Sequence, residues 1–328
     1  MRAAVYSSFG PAADVLSIAD LPAPVPGPGE VRVRLAASGV NPSDVKARAS
    51  ASRNSVYSRV IPHSDGAGLI DAVGDGVDAA RIGARVWVFN AQWKRAEGTA
   101  AEFVCVPAEF APALPANADF AVGACLGIPA LTAWRAVTLN GGVSQRAVLV
   151  TGGAGAVGHY AIQMAKHEGA KVFATVSSPE KAALAREAGA DATIDYRSED
   201  VGARVRELTG GEGVDRVVEL DIAGNAKSSL DALKPGGTLA IYGSNRPDFT
   251  MPFMPAIAKN VTAAFFIVYE LSPAQRRIGA AYVNSRLAMG QLKTRIAARF
   301  PLERIVEAHQ AVESGKMAGN VVLDIDAR

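Results

Sequence analysis

The residues whose types and spacing point most directly to chemistry are the glycines of 148–169, V-L-V-T-G-G-A-G-A-V-G-H-Y-A-I-Q-M-A-K-H-E-G. An apolar run leads into Gly153, Gly155 and Gly158, which satisfy G-x-G-x-x-G. Apolar residues at Val157, Ala161, Met164 and Ala165 then follow with helical spacing. Strand, glycine turn and helix N-terminus in that order cradle a diphosphate, because unpaired N–H groups and the helix dipole both favour an anion. On this reading Gly153 permits the tight turn, Gly155 lets a pyrophosphate approach the backbone, and Gly158 lets helix and strand lie close together. Ala154, Ala156 and Val157 complete the backbone around the ligand.

The end of the next strand decides which dinucleotide is held. A site for NAD places an acidic group there, about 20 residues on, to bond the ribose 2′-hydroxyl. The residues present are Thr175, Val176, Ser177 and Ser178, which offer hydroxyls and no carboxylate. Lys181 follows one helical turn later, and Tyr196 and Arg197 end the neighbouring strand. Small polar groups backed by cations suit a 2′-phosphate, so NADPH is the expected cofactor. Glu180 is the acid that a small shift would aim at the ribose instead.

These residues need a scaffold, and the pattern of the chain supplies one. From about 120 to 265, short apolar runs at 147–150, 172–176, 192–194, 216–220, 238–242 and 261–268 alternate with helical stretches. That alternation indicates a parallel sheet covered on both faces. Ser178 caps a helix, Pro179 suits its first turn and Gly189 closes it. Up to about 118 the texture is β-rich instead. The run 31–35 (V-R-V-R-L) alternates with the period of a half-buried strand, and 69–73 and 85–89 read as further short strands. The P-A-P-V-P-G-P-G run at 22–29 is a turn or extended connector, since proline supplies no amide donor. A helical stretch at 302–313 precedes a terminal strand at 320–325, and both are expected to return to the first domain.

A length of 328 residues suits two domains, and 49% hydrophobic with 20% charged residues excludes a largely disordered chain. With 34 basic against 32 acidic residues the net charge is +2, too balanced for a protein built to grip nucleic acid. The two cysteines, Cys105 and Cys125, exclude a four-cysteine zinc site and a disulfide scaffold, and both read as small buried hydrophobes. The first ten residues lack the apolar run of a signal peptide. The most apolar stretch, 256–269, contains Lys259 and Asn260 and is too short to cross a bilayer. A soluble cytoplasmic protein is expected. Of the four histidines, His63 reads as a surface or cleft-lining imidazole, while His159, His167 and His309 fall on helical stretches as packing or surface groups.

Nearly the whole chain resembles the zinc-free, zeta-crystallin-like quinone oxidoreductases of the medium-chain dehydrogenase/reductase superfamily. The segments that carry the resemblance are G-V-N-P-S-D-V-K (39–46), I-P-H-S-D-G-A-G (61–68), G-I-P-A-L-T-A-W-R-A (127–136), V-L-V-T-G-G-A-G-A-V-G (148–158), G-A-D-A-T-I-D-Y-R (189–197), L-K-P-G-G-T-L-A-I-Y-G (233–243) and A-G-N-V-V-L (318–323). It implies an α/β protein with a GroES-like β-rich catalytic domain (1–120 and 266–328) and a Rossmann doubly wound parallel-sheet domain (121–265), with the active cleft between them. Zinc-dependent relatives carry a Cys after the G-V stretch and a His–Glu pair in the next motif. Here Asn41 stands near the first position and Ser64-Asp65 occupies the second, so no metal is expected. The resemblance assigns catalysis to Asn41 and Thr132: the Asn41 amide near the nicotinamide, donating to a substrate oxygen, and Thr132 beside the nicotinamide ring. It gives Lys46 a cofactor contact, although many relatives have Tyr there. Gly243, Ser244 and Asn245 form a loop over the cofactor, and Phe265, Phe266 and Ile267 flank its nicotinamide side.

The expected reaction is metal-free hydride transfer from NADPH to a quinone or similar electrophilic carbonyl. Two other readings stand beside it. One is an enoyl or 2-alkenal reductase on the same scaffold, for which Tyr57 or Lys46 would serve as proton donor. The other is a non-catalytic NADPH-binding protein of the crystallin or RNA-associated kind, against which near-neutral charge and the lack of a basic–aromatic stripe argue. The apolar run 261–268 is expected to be an edge strand joining a homodimer. The shape of the substrate pocket depends on the loops 49–60 and 90–98.

Overall fold

The computed structural model describes residues 1–50 and 56–325. Residues 51–55 of the 49–60 loop, and 326–328 of the expected catalytic domain, lie outside the described residues. In chain order the strands are β1 (Arg2–Val5), β2 (Ser17–Asp20), β3 (Glu30–Val40), β4 (Asp65–Val73), β5 (Arg85–Val88), β6 (Phe103–Pro107) and β7 (Ala147–Val150). Then follow β8 (Lys171–Val176), β9 (Ala192–Asp195), β10 (Val214–Glu219), β11 (Leu233–Ile241), β12 (Thr262–Phe265), β13 (Ile296–Pro301) and β14 (Asn320–Asp324). Two compact units divide them, Met1–Ile128 with Ala280–Arg328, and Pro129–Gly279. The sequence places the junctions after 120 and 265. The observed ones fall inside the five-residue turn Leu126–Ala130, between Ile128 and Pro129, and inside the helix Pro273–Ala288. A helical pattern carries no mark at the residue where its packing partners change.

In the first unit the V-R-V-R-L alternation does what its period requires: Val31, Val33 and Leu35 are buried, and Arg32 and Arg34 are not. The strand runs on to Val40, because the small residues A-A-S-G continue it where it is covered on both faces. Strand β3 pairs antiparallel with β4, β6 and β14. The register Val321↔Val40 brings the chain's last strand back to this unit, as expected. Val31, Val33, Leu35, Ile70, Val86, Val104 and Leu323 are among its core residues. The stretch 302–313 is a short 3-10 turn, Leu302–Arg304, leading into the helix Ile305–Glu313.

The second unit holds a six-stranded sheet in the order β12-β11-β10-β7-β8-β9, parallel at every pairing. The chain leaves β7 toward β8 and β9, then returns to the other side of β7 for β10 to β12. That reversal opens a crevice at the carboxyl end of β7, where such sheets take their ligands. The 261–268 run forms a strand over Thr262–Phe265 only and then turns into a 3-10 segment, Val268–Glu270. Strand β12 is the sheet's edge. Arg216 is buried in β10, its guanidinium donating to the carbonyls of Ala136 (3.2 Å), Val137 (2.5 Å) and Leu139. These close the end of the helix Leu131–Thr138. Burial, with Arg146 and Arg135 nearby, lowers its pKa to about 10.

Candidate functional site

Strand β7 ends at Val150, and Thr151 leads at once into the glycine turn. Its left-handed residue is Gly152, φ +67°, one place before the Gly153 that the sequence reading names for the tight turn. Gly153 instead packs: a Cβ there would stand 2.6 Å from the Ala174 Cβ on β8. The reason lies in the direction of exit from β7, which requires the positive φ one residue earlier than the motif's first counted glycine. At Gly158 a Cβ would collide with the Gly152 carbonyl, so helix and turn approach as closely as expected. At Gly155 only the Gly152 oxygen, at 3.2 Å, lies within 4 Å of such an atom, which leaves that face as open backbone. Gly155 is the N-cap of the helix Ala156–His167, with Val157 and Gly158 in its first turn, and Ala154 is buried behind it. A backbone turn without side chains, closed by the first turn of a helix, fits a dinucleotide diphosphate.

Thr175, which the sequence reading names only among the hydroxyls near the ribose, holds this turn, and Thr151 and Glu219, to which it gives no role, brace the strand ends beside it. Thr175 on β8 accepts the Gly152 N–H on its hydroxyl (2.9 Å) and the Gly153 N–H on its carbonyl (3.0 Å). Thr151 donates to the Val218 carbonyl (3.0 Å) and accepts from the Leu220 N–H (3.0 Å). Glu219 is fully buried and accepts from the Asp221 N–H (2.7 Å), the Asn225 amide (2.9 Å) and the Ser229 hydroxyl. An acid ending an apolar strand was the available signal for Glu219. Thr151 gave none, because its partners lie across the sheet.

Beyond Thr175, Ser177 is buried and Ser178 caps the helix Pro179–Glu187, its hydroxyl accepting from the Lys181 N–H at 3.3 Å. Lys181 is half-buried in that first turn. The Tyr196 N–H donates to the Val176 carbonyl (3.2 Å), which sets Tyr196 beside the end of β8 with its ring exposed. Glu180 is engaged locally, since the Ser178 hydroxyl holds its carboxyl below the usual range.

On the far side of the switch point a pocket of about 490 Å³ is lined by Gly243, Ser244, Phe265, Phe266 and Ile267, with Ile222, Ile241, Tyr242, Pro247 and Phe249. Asn245 follows Ser244 outside this lining, and its N–H donates to Asp221 Oδ1 (2.8 Å). Thr132 is buried in the helix Leu131–Thr138 of the same unit. Among the second unit's expected site residues, the structure therefore gathers the glycine turn, the 177–181 hydroxyls and lysine, and the loops after β11 and β12 along one end of the sheet.

In the first unit, Asn41 ends β3 as N-cap of the helix Pro42–Ala49, and its N–H donates to Asp44 Oδ2 at 2.8 Å. Its side chain is buried, and Nδ2 donates to Asp65 Oδ2 at 2.9 Å. Lys46 stands exposed on that helix and Tyr57 is half-buried. Asp65 also accepts the Ile128 N–H (2.8 Å). Burial drives its carboxyl well above the ordinary range, against the pull of those two donors, and Asp44 adds to the rise.

The surface reading of His63 is corrected: the residue is fully buried with φ +76°. Its Nδ1 lies 2.9 Å from the Ser38 hydroxyl and its Nε2 2.9 Å from Nε2 of His309, also fully buried. The two rings stack with centroids 5.1 Å apart. Nothing near His63 in sequence announces a partner 246 positions away. Burial lowers both pKa values, that of His309 to about 3. His159 is buried and His167 exposed on one helix. Both cysteines are buried thiols, and burial raises their pKa values, that of Cys105 to about 11. Among the described residues no group of three or more His, Cys, Asp or Glu is placed to hold a metal ion. No helix among them is long and apolar enough to cross a membrane.

Residues 27–116 match the family described as alcohol dehydrogenase GroES-like domain, and 156–283 the one described as zinc-binding dehydrogenase. The chain is 31% identical over 330 residues to a quinone oxidoreductase of Pseudomonas aeruginosa, covering 97% of this chain and 98% of that one. It is 30% identical over 334 residues to a 2-haloacrylate reductase of a Burkholderia species, covering 98% of each. A mycobacterial structure solved in complex with NADPH superposes with a TM-score of 0.90 at 32% identity, over 99% of this chain and 100% of that one. With its GroES-like and parallel-sheet units in the order those relatives share, the chain belongs to the quinone oxidoreductases of the medium-chain dehydrogenase/reductase superfamily.

Proposed function

We propose that the protein is an NADPH-dependent quinone oxidoreductase, acting on a quinone or comparable electrophilic carbonyl. The observation that carries this reading is the match to a quinone oxidoreductase along 97% of the chain. The glycine turn holds the diphosphate on the backbone of 153–158, and Ser177, Ser178, Lys181 and Tyr196 take the adenosine end with its 2′-phosphate. Gly243, Ser244, Asn245, Phe265, Phe266, Ile267 and Thr132 enclose the nicotinamide end, and Lys46 is the further residue assigned to the cofactor. NADPH, when bound, supplies the hydride.

The chain's own residues position and polarise. Fixing two reactants in one geometry removes the entropy of their encounter, a contribution that reaches about 7–11 kcal/mol in well-oriented cases. Asn41 keeps one Nδ2 hydrogen beyond its bond to Asp65, and that hydrogen donates to the substrate oxygen as negative charge builds there. The one proton that, with the hydride, completes the hydroquinone comes from solvent. The walls of the 243–267 pocket are largely aromatic and aliphatic, from buried Ile222 and Ile241 to exposed Phe265 and Ile267, an apolar surface for the ring to be reduced.

The likeness to a 2-haloacrylate reductase supports a second reading, reduction of a C=C bond conjugated to a carbonyl. That reaction adds a proton at the α-carbon, for which Lys46 or Tyr57 would serve. The reading also places the protein in the cytoplasm as a homodimer joined along β12. Initial rates of NADPH oxidation with a quinone panel, a 2-alkenal and a 2-haloacrylate separate the possibilities. Faster turnover of quinones supports the first reading and faster turnover of the alkenes the second, while tight NADPH binding without turnover supports a non-catalytic protein.

A further inference from the structure

Asp65 opens β4 directly opposite Gly39 of β3, two residues before Asn41. The Thr99 hydroxyl donates to its backbone carbonyl (2.6 Å), with the Ser38 hydroxyl 3.4 Å from the same oxygen. Ser38 in turn contacts the His63–His309 pair. The carboxyl that this frame holds is fully buried and used on one side only. Oδ2 accepts from Asn41 Nδ2 and from the Ile128 N–H, while Oδ1 has no hydrogen-bond partner among the described residues. A Cβ at position 127 would collide with Oδ1, so the glycine there is what admits it. A buried oxygen without a partner costs stability, and a purely structural side chain would avoid that cost.

An asparagine amide is nearly symmetric in shape but not in chemistry, since one end donates and the other accepts. The Ile128 N–H is fixed by the backbone, so Oδ2 of Asp65 is an acceptor, and an amide oxygen turned toward it would be repelled. We infer that Asp65 is a positioning residue for the reduction: by accepting from Nδ2 it determines which end of the Asn41 carboxamide is presented to the substrate oxygen. The inference rests on the reading of Asn41 as the substrate donor. Asp65 itself is sealed from solvent and acts only through Asn41. Its raised pKa fits this role, because a neutral carboxyl carries its proton on Oδ1 and leaves Oδ2 as a carbonyl-type acceptor.

The test compares wild type, Asn41→Ala, Asp65→Leu, Asp65→Asn and the Asn41→Ala/Asp65→Leu double variant with NADPH and 1,4-benzoquinone. Asn41→Ala and Asp65→Leu should each lower kcat by about 10- to 100-fold, the scale of losing one oriented donor, with KM for NADPH within about twofold. The double variant should be no slower than the slower single one, since the two residues act as a unit. Asp65→Asn keeps an acceptor at Oδ2 and should retain at least about a third of kcat. If Asp65→Leu fails to fold, Asp65→Ala replaces it in the same comparison. Wild-type kcat in the truncated variant, losses that multiply in the double variant, or Asp65→Asn as slow as the truncation would each overturn the inference. An Asn41→Ala enzyme with wild-type kcat would instead remove the role proposed for Asn41, and with it the basis for Asp65.

Discussion

Lys181 is the cation proposed to distinguish a phosphate from a hydroxyl on the adenosine ribose. Its backbone is fixed by the Ser178 cap, so replacing the side chain leaves the helix start intact. Lys181→Ala should raise KM for NADPH about tenfold, the loss of one charge-assisted hydrogen bond, and change that for NADH by less than about twofold. Initial-rate measurements with both coenzymes check this, and equal effects on the two would remove the assignment. The buried histidine pair makes a prediction of another kind. The folded state holds His309 neutral down to about pH 3, whereas the unfolded chain takes up a proton near 6.5. Stability from this group is therefore complete above about pH 6.5 and is lost as pH falls, by up to about 1.4 kcal/mol per pH unit. Urea unfolding midpoints between pH 7 and 5 should drop more steeply in wild type than in His309→Gln. Parallel slopes would mean that the pair does not titrate on unfolding.

Among the elements, the glycine turn makes the sharpest demand on the sequence. A methyl group at position 158 would strike the Gly152 carbonyl, a backbone atom that cannot rotate away. Gly158→Ala should weaken NADPH binding by at least about tenfold, or about 1.4 kcal/mol, in a fluorescence titration. Unchanged affinity would show that the turn does not cradle the diphosphate. The elements were legible to the extent that their signals are local. The V-R-V-R-L alternation, the apolar runs of the parallel sheet, the Ser178–Pro179 helix start and the strand–turn–helix of 148–158 each contain their own cause. Contacts between distant residues were not legible in this way. Gly152 takes the positive φ where β7 leaves the sheet, and Thr151 and Thr175 matter through bonds that cross it. Asn41 was identified from a motif, but its hold by Asp65 depends on the pairing of β3 with β4. His63 was misread because its partner arrives on a helix near the other end of the chain.

At the scale of the whole molecule, the parallel sheet ends in β12, a four-residue edge on which Thr262, Ala263 and Phe265 are exposed. An exposed apolar edge pairs readily with another chain. Light scattering should give twice the 34.0 kDa chain mass for wild type and the single mass for Ala263→Lys. A monomeric wild type would remove the proposed interface. The central claim, that a glycine turn and a polarising amide serve hydride transfer to a quinone, is tested most directly by stopped-flow spectroscopy. NADPH absorbance at 340 nm, a property of the reduced nicotinamide, is followed after mixing the EDTA-treated enzyme–NADPH complex with excess 1,4-benzoquinone. The account predicts rapid single-turnover oxidation at about 1–10³ s⁻¹, the ordinary range of enzymatic turnover, unaffected by the chelator. Oxidation no faster than in free solution, or activity abolished by EDTA and restored by zinc, would contradict it.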